Sequence, residues 1–103
     1  MAPLNAVFCM DGVAGVAGPT AVMEAGRDDI KVVAFDTDSA VLDMVKNGEI
    51  MATVAQGTYS MGYWSMEFLF SLAHDLSKSA LPTFVDTGVT FVESDTVDRY
   101  YVR

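Results

Sequence analysis

Two apolar runs, IKVVAF at residues 30–35 and IMATVA at residues 50–55, flank a helical segment, and this arrangement restricts the fold more than any other feature of the chain. Each run is too continuous for a strand with one wet face, so both are expected as inner strands of a parallel sheet covered by helices on both sides. Between them, SAVLDMVKNG places Val41, Leu42 and Val45 at helical spacing, with Asp38 or Ser39 as the cap and Asn47-Gly48 as the stop. In such sheets ligands sit outside the carboxyl ends of the strands. Asp36 and Gln56 are the polar residues at those ends, and Asp11 holds the same place after an earlier strand, NAVFCM. These three are the candidate ligand-binding residues.

A chain of 103 residues has room for one domain. With 51% hydrophobic and only 19% charged residues, its apolar loading is high for a small soluble domain, which implies surface covered by something outside the chain. The net charge of −8 opposes binding to nucleic acid or anionic lipid, both of which need Lys and Arg to neutralise phosphate. Cys9 is alone, so neither a disulfide framework nor a cysteine metal cluster is expected, and its place in an apolar strand predicts a buried, inert thiol. The opening MAPLNAVF lacks a basic region followed by an apolar segment and leads almost directly into a core strand, so Met1 is not expected to be the natural start.

Gly12, Gly15 and Gly18 follow the first strand, but their spacing is neither the dinucleotide fingerprint nor the triphosphate loop with its Lys, and close helix-to-sheet packing is the better explanation. Either a kinked helix starts near Gly12 or Pro19 is its first residue; the kinked helix is favoured, with Gly26 as its stop. Asp36 and Asp38 lack a third ligand, so no metal or other cofactor is expected. A long helix over residues 58–76 carries Tyr59, Tyr63, Met66, Phe70 and Ala73 on one face and Trp64, Phe68 and Leu72 on another, so it is expected to be buried on more than one side. Glu67, His74 and Asp75 and its short apolar run exclude a membrane span. His74 has no accompanying Ser or Cys nucleophile motif and reads as structural. A polar link, SKSALP, leads to a β-rich run, TFVDTGVTFV, interrupted at Asp86-Thr87-Gly88, and then to a short terminal helix capped by Ser94 or Asp95.

The runs VFCMDG, VVAFDTDSAVLDMVKNGEIMATVAQG, MGYWSMEFLFSLAHDL and VDTGVTFV resemble, in order and spacing, the carboxyl-terminal part of a periplasmic sugar-binding protein of the ribose- and galactose-binding type. The resemblance covers nearly the whole chain. It implies an α/β, parallel-sheet, Rossmann-like half-lobe of a type I periplasmic binding protein with a long crossover helix. Residues 1–57 and 83–103 would belong to the second lobe, and residues 58–82 would cross to the first. Asp36 and Gln56 match the family's sugar-hydroxyl ligands, whereas Asp11 stands where ribose-type members often have Asn. Gly57 and Thr58 fall at one hinge crossing, and Asp86, Thr87 and Gly88 at the return.

The function implied is that of the non-enzymatic solute-binding component of an ABC-type sugar importer, periplasmic or on the cell surface. It would bind a monosaccharide or related polyol in an interlobe cleft and, in the full-length protein, deliver it to a membrane permease without entering the membrane or touching nucleic acid. The side chains agree independently: a carboxylate accepts two vicinal hydroxyls in charge-assisted bonds, and a Gln amide both donates and accepts. The alternatives are the effector-binding domain of a sugar-responsive repressor and a free-standing flavodoxin-like domain without a sugar site. A glycosidase is disfavoured, because Asp11 and Asp36 occupy short loops without an acid partner in an apolar pocket.

Overall fold

The computed structural model describes residues 3–76 and 81–101. Three strands, β1 (Ala6–Phe8), β2 (Lys31–Phe35) and β3 (Ala52–Gln56), alternate with helices α1 (Gly12–Glu24) and α2 (Ser39–Asn47). They lead into the long helix α3 (Thr58–Ala73), then β4 (Val89–Val92) and a 3-10 turn at Val97–Arg99. The sheet order is β1-β2-β3-β4, with β1 to β2 and β2 to β3 parallel. The two long apolar runs are therefore the inner strands, as their continuity requires.

The chain divides into two compact units, residues 1–55 with 90–103 and residues 56–89. The core of the first joins Val32 and Ala34 of β2, Val41, Leu42 and Val45 of α2, and Ile50, Ala55, Val92 and Val97. Helices α1 and α2 pack on the face of β2 that carries Ala34: a Cβ on Gly15 would lie 3.4 Å from Ala34 Cβ and 3.1 Å from Val41 Cγ2. The three early glycines thus serve close packing, since a Cβ on Gly18 would run into Cys9 Sγ. On the alternating face Val33 and Phe35 are half-buried.

Helix ends follow local chemistry. Pro19 lies inside α1 and forfeits one backbone bond, yet the helix runs through it. Gly26 (φ 64°) and Gly48 (φ 80°) adopt the left-handed turn. The amides that follow them, Arg27 and Glu49, reach back to Val22 and Met44 as helix stops of this kind require. The same device, with Asp75 at φ 52° and Leu76 N–H donating to Ser71 O, ends α3 before the expected Leu76.

Four expectations need correction. Asp38 is the residue before α2, but its side chain makes no capping bond. The run at 83–92 is strand only from Val89, because Asp86 Oδ1 accepts from Gly88 N–H at 2.8 Å and folds the preceding residues into a turn. The terminal helix is a single 3-10 turn preceded by Thr96, whose hydroxyl and the backbone of Glu93 bond each other. Finally, no residue of α3 is buried in this chain, so the burial that its two apolar faces predict would have to come from the first lobe, to which the resemblance assigns it. Of the SKSALP link, residues 77–80 lie outside the described residues.

Candidate functional site

Parallel strands deliver their carboxyl ends to one edge, and the first unit places two carboxylates there. Asp11 follows β1 and stands at the amino end of α1, its backbone extended and its Oδ1 accepting from Ala14 N–H at 2.7 Å. The helix start thereby gains the side-chain acceptor it needs. One oxygen is engaged in this way, and a carboxylate has further lone pairs to offer a hydroxyl.

Asp36 follows β2 in the left-handed conformation, φ 74°, which non-glycine residues adopt uncommonly and Asp more readily than most. Both of its backbone polar groups are tied to β3: its N–H donates to Val54 O at 2.9 Å, and its carbonyl accepts from Thr53 Oγ1 at 2.8 Å. A Cβ on Gly12 would collide with the Asp38 carboxylate and come within 4.0 Å of Asp36 Cβ, so residues 36 and 38 lie against the first turn of α1, next to Asp11. The partial positive charge of that helix end favours such an acidic cluster. Gln56, half-buried, closes β3.

Sequence reasoning missed two participants. Thr53 is fully buried within the otherwise apolar run at 50–55. A buried hydroxyl must find a partner, and that need was the available signal. Asp38, expected as a cap, instead faces Gly12.

The buried Cys9 thiol, 4% exposed, has its pKa pushed up by burial and secondarily by Asp11. Among the described residues no group of three or more His, Cys, Asp and Glu is placed to hold a metal ion, and no helix is long and apolar enough to cross a membrane. A concavity at the opposite edge, lined in part by Val22, Arg27, Lys31, Glu49 and Met51, mixes charges of both signs and buries none of them.

The model of a family described as the periplasmic binding protein domain matches residues 1–76. The chain belongs to this family. Among solved structures, this periplasmic binding protein chain is similar to a sugar-binding protein of a sugar ABC transporter from Bacillus halodurans, at 42% identity and TM-score 0.79, over 95% of this chain and 37% of that one. It is similar to an arabinose-binding protein from Geobacillus stearothermophilus at 45% identity and TM-score 0.79, over 95% of this chain and 36% of that one. An ABC transporter solute-binding protein from Agrobacterium vitis, with bound D-fucose, matches at 31% identity and TM-score 0.77, over 93% of this chain and 32% of that one. Among curated proteins, the ribosomal RNA small subunit methyltransferase H of Azorhizobium caulinodans is 30% identical over 101 residues, 96% of this chain and 28% of that protein. The chain thus spans between 28% and 37% of the length of each of these relatives.

Proposed function

We propose that this chain is part of the solute-binding component of an ABC-type sugar importer, and that a monosaccharide or related polyol is held at the carboxyl edge of β1, β2 and β3. Asp36 and Asp11 would accept vicinal hydroxyls, and Gln56 would both donate and accept. The observation that carries this is Asp36 itself: a left-handed residue fixed through both backbone groups to β3, with its carboxylate at the strand ends beside the first turn of α1. Left-handed strain at a strand end suits a residue kept there for contact with a ligand. The complete importer component would act outside the cytoplasmic membrane and hand its sugar to a permease.

Similarity to the methyltransferase does not favour an enzymatic reading. Its identity is lower than that of the sugar-binding structures over a similar span, and the acidic residues here occupy βα loops rather than an apolar pocket that would set an acid against a base. Calorimetric titration of the two-lobed protein with arabinose and with D-fucose tests the site. Asp36→Ala removes charge-assisted bonds of roughly 1.5–3 kcal/mol each, so affinity should fall about tenfold or more. An unchanged dissociation constant would remove Asp36 from the site.

A further inference from the structure

We propose that Thr53 is a positioning residue for sugar recognition, its hydroxyl locking Asp36 into the left-handed conformation that aims the carboxylate. The proposal rests on the reading of Asp36 as a sugar ligand and adds to it a residue that touches no sugar. Thr53 is fully buried in β3, opposite Ala34 in the parallel register, two residues before Asp36 on the neighbouring strand. Its Oγ1 donates to the Asp36 carbonyl at 2.8 Å, while the Asp36 N–H donates to Val54 O at 2.9 Å.

Two bonds on either side of one Cα leave little rotation about it. The N–H bond alone continues the ladder of the sheet and is compatible with an extended residue. The hydroxyl bond is the one that engages the carbonyl after the chain has turned, and only a hydroxyl at this buried point can supply it. The surrounding strand is Ala52, Val54 and Ala55, so Val at 53 would match the pattern and the volume equally well. A threonine here answers a need that packing does not create. Without the donor, the Asp36 carbonyl loses its buried partner, and the residue gains by returning to the right-handed or extended region that an L-residue prefers. Its carboxylate would then leave the strand ends even though every atom of it is retained.

The test compares Thr53→Val and Thr53→Ser at two levels. In the 103-residue chain, nuclear magnetic resonance reads the Asp36 backbone from its Cα and Cβ shifts and its amide-to-Hα coupling. The left-handed signature is expected to be lost in Thr53→Val and kept in Thr53→Ser, with circular dichroism showing that both fold. A left-handed Asp36 in a folded Thr53→Val would overturn the proposal. In the two-lobed protein, titration with arabinose and with D-fucose is expected to show about tenfold weaker binding for Thr53→Val and near wild-type binding for Thr53→Ser. In an Asp36→Ala background Thr53→Val should cause no further loss, because the residue it positions has no carboxylate left to aim. Additive losses, or unchanged affinity of Thr53→Val where Asp36→Ala binds weakly, would overturn it. If Asp36→Ala itself bound normally, the sugar reading would fall, while the backbone measurement would still report on the Thr53 lock.

Discussion

Substitution at Asp11 can separate its capping of α1 from the contact with sugar proposed for it. Because Oδ1 caps α1 through Ala14 N–H, Asp11→Ala should cost about 1 kcal/mol of stability and lower Tm by roughly 4–8 °C. Asp11→Ser keeps a capping oxygen and should recover most of that loss. Any weakening of sugar binding that persists in Asp11→Ser then belongs to ligand contact rather than to the helix. Tyr101 makes a different kind of prediction. Its hydroxyl donates to Asp43 Oδ1 at 2.6 Å, and that bond, followed by desolvation and the charges of Asp43 and Asp98, pushes the phenol up to about 12. A folded pKa above the unfolded value, about 10, means that the stabilisation is fully present below pH 10 and is lost as pH rises from about 10 to 12. Titration at 295 nm should show an ionisation near pH 12 that Tyr101→Phe removes.

Among the elements, the segments at 57–58 and 86–88, proposed as hinge crossings, touch each other within the second unit. Gly57 N–H donates to Gly88 O at 3.1 Å, and a Cβ on Gly57 would run into the Thr87 carbonyl. Gly88 itself has φ 76°, held by the Asp86 side chain on its amide. Gly57→Val should therefore disturb the return segment as well as its own backbone and, if the proposed hinge role holds, weaken closure of the two-lobed protein on sugar. Small-angle scattering with and without arabinose checks this, and closure as complete as wild type would remove Gly57 from the hinge. Gly48 differs from Gly57: it is left-handed, φ 80°, and nothing lies near its Cβ position. Ala there meets only backbone strain, about 1 kcal/mol, with no collision.

For the whole molecule, the dominant feature is apolar surface on α3. Tyr59 is 84% exposed, Met66 67%, Leu69 62% and Phe70 57%, with Tyr63 and Trp64 also open. Monomers tolerate contiguous apolar patches of only a few hundred Å². Sedimentation of the 103-residue chain should accordingly show self-association, and a dye such as ANS should bind it. Arabinose and D-fucose should produce little change in Trp64 fluorescence, because under the proposed function this chain supplies one wall of a two-walled site, and one wall leaves much of a sugar in water. A monodisperse monomer that bound either sugar at micromolar strength would show instead that the chain recognises sugar unaided.

Features written locally were legible in the sequence. The parallel β2 and β3 follow from continuous apolar runs, and the ends of α1 and α2 from Gly26 and Gly48, which bear φ values that other residues resist. The glycine stripe of α1 announced close packing. Asp11 and Asp36 were placed at one edge by strand direction alone. What depends on a partner distant in the chain was not legible. Asp36 takes its left-handed turn with Thr53 on its carbonyl, 17 residues away, and Asp38 turns toward Gly12 rather than capping its own helix. The interruption before β4 was legible, because the Asp86 side chain takes an amide only two residues on, whereas the burial of α3 depends on what packs on it rather than on its composition. Propensity and periodicity act within a few residues, whereas a buried hydroxyl or carbonyl takes whichever partner the assembled sheet brings within reach.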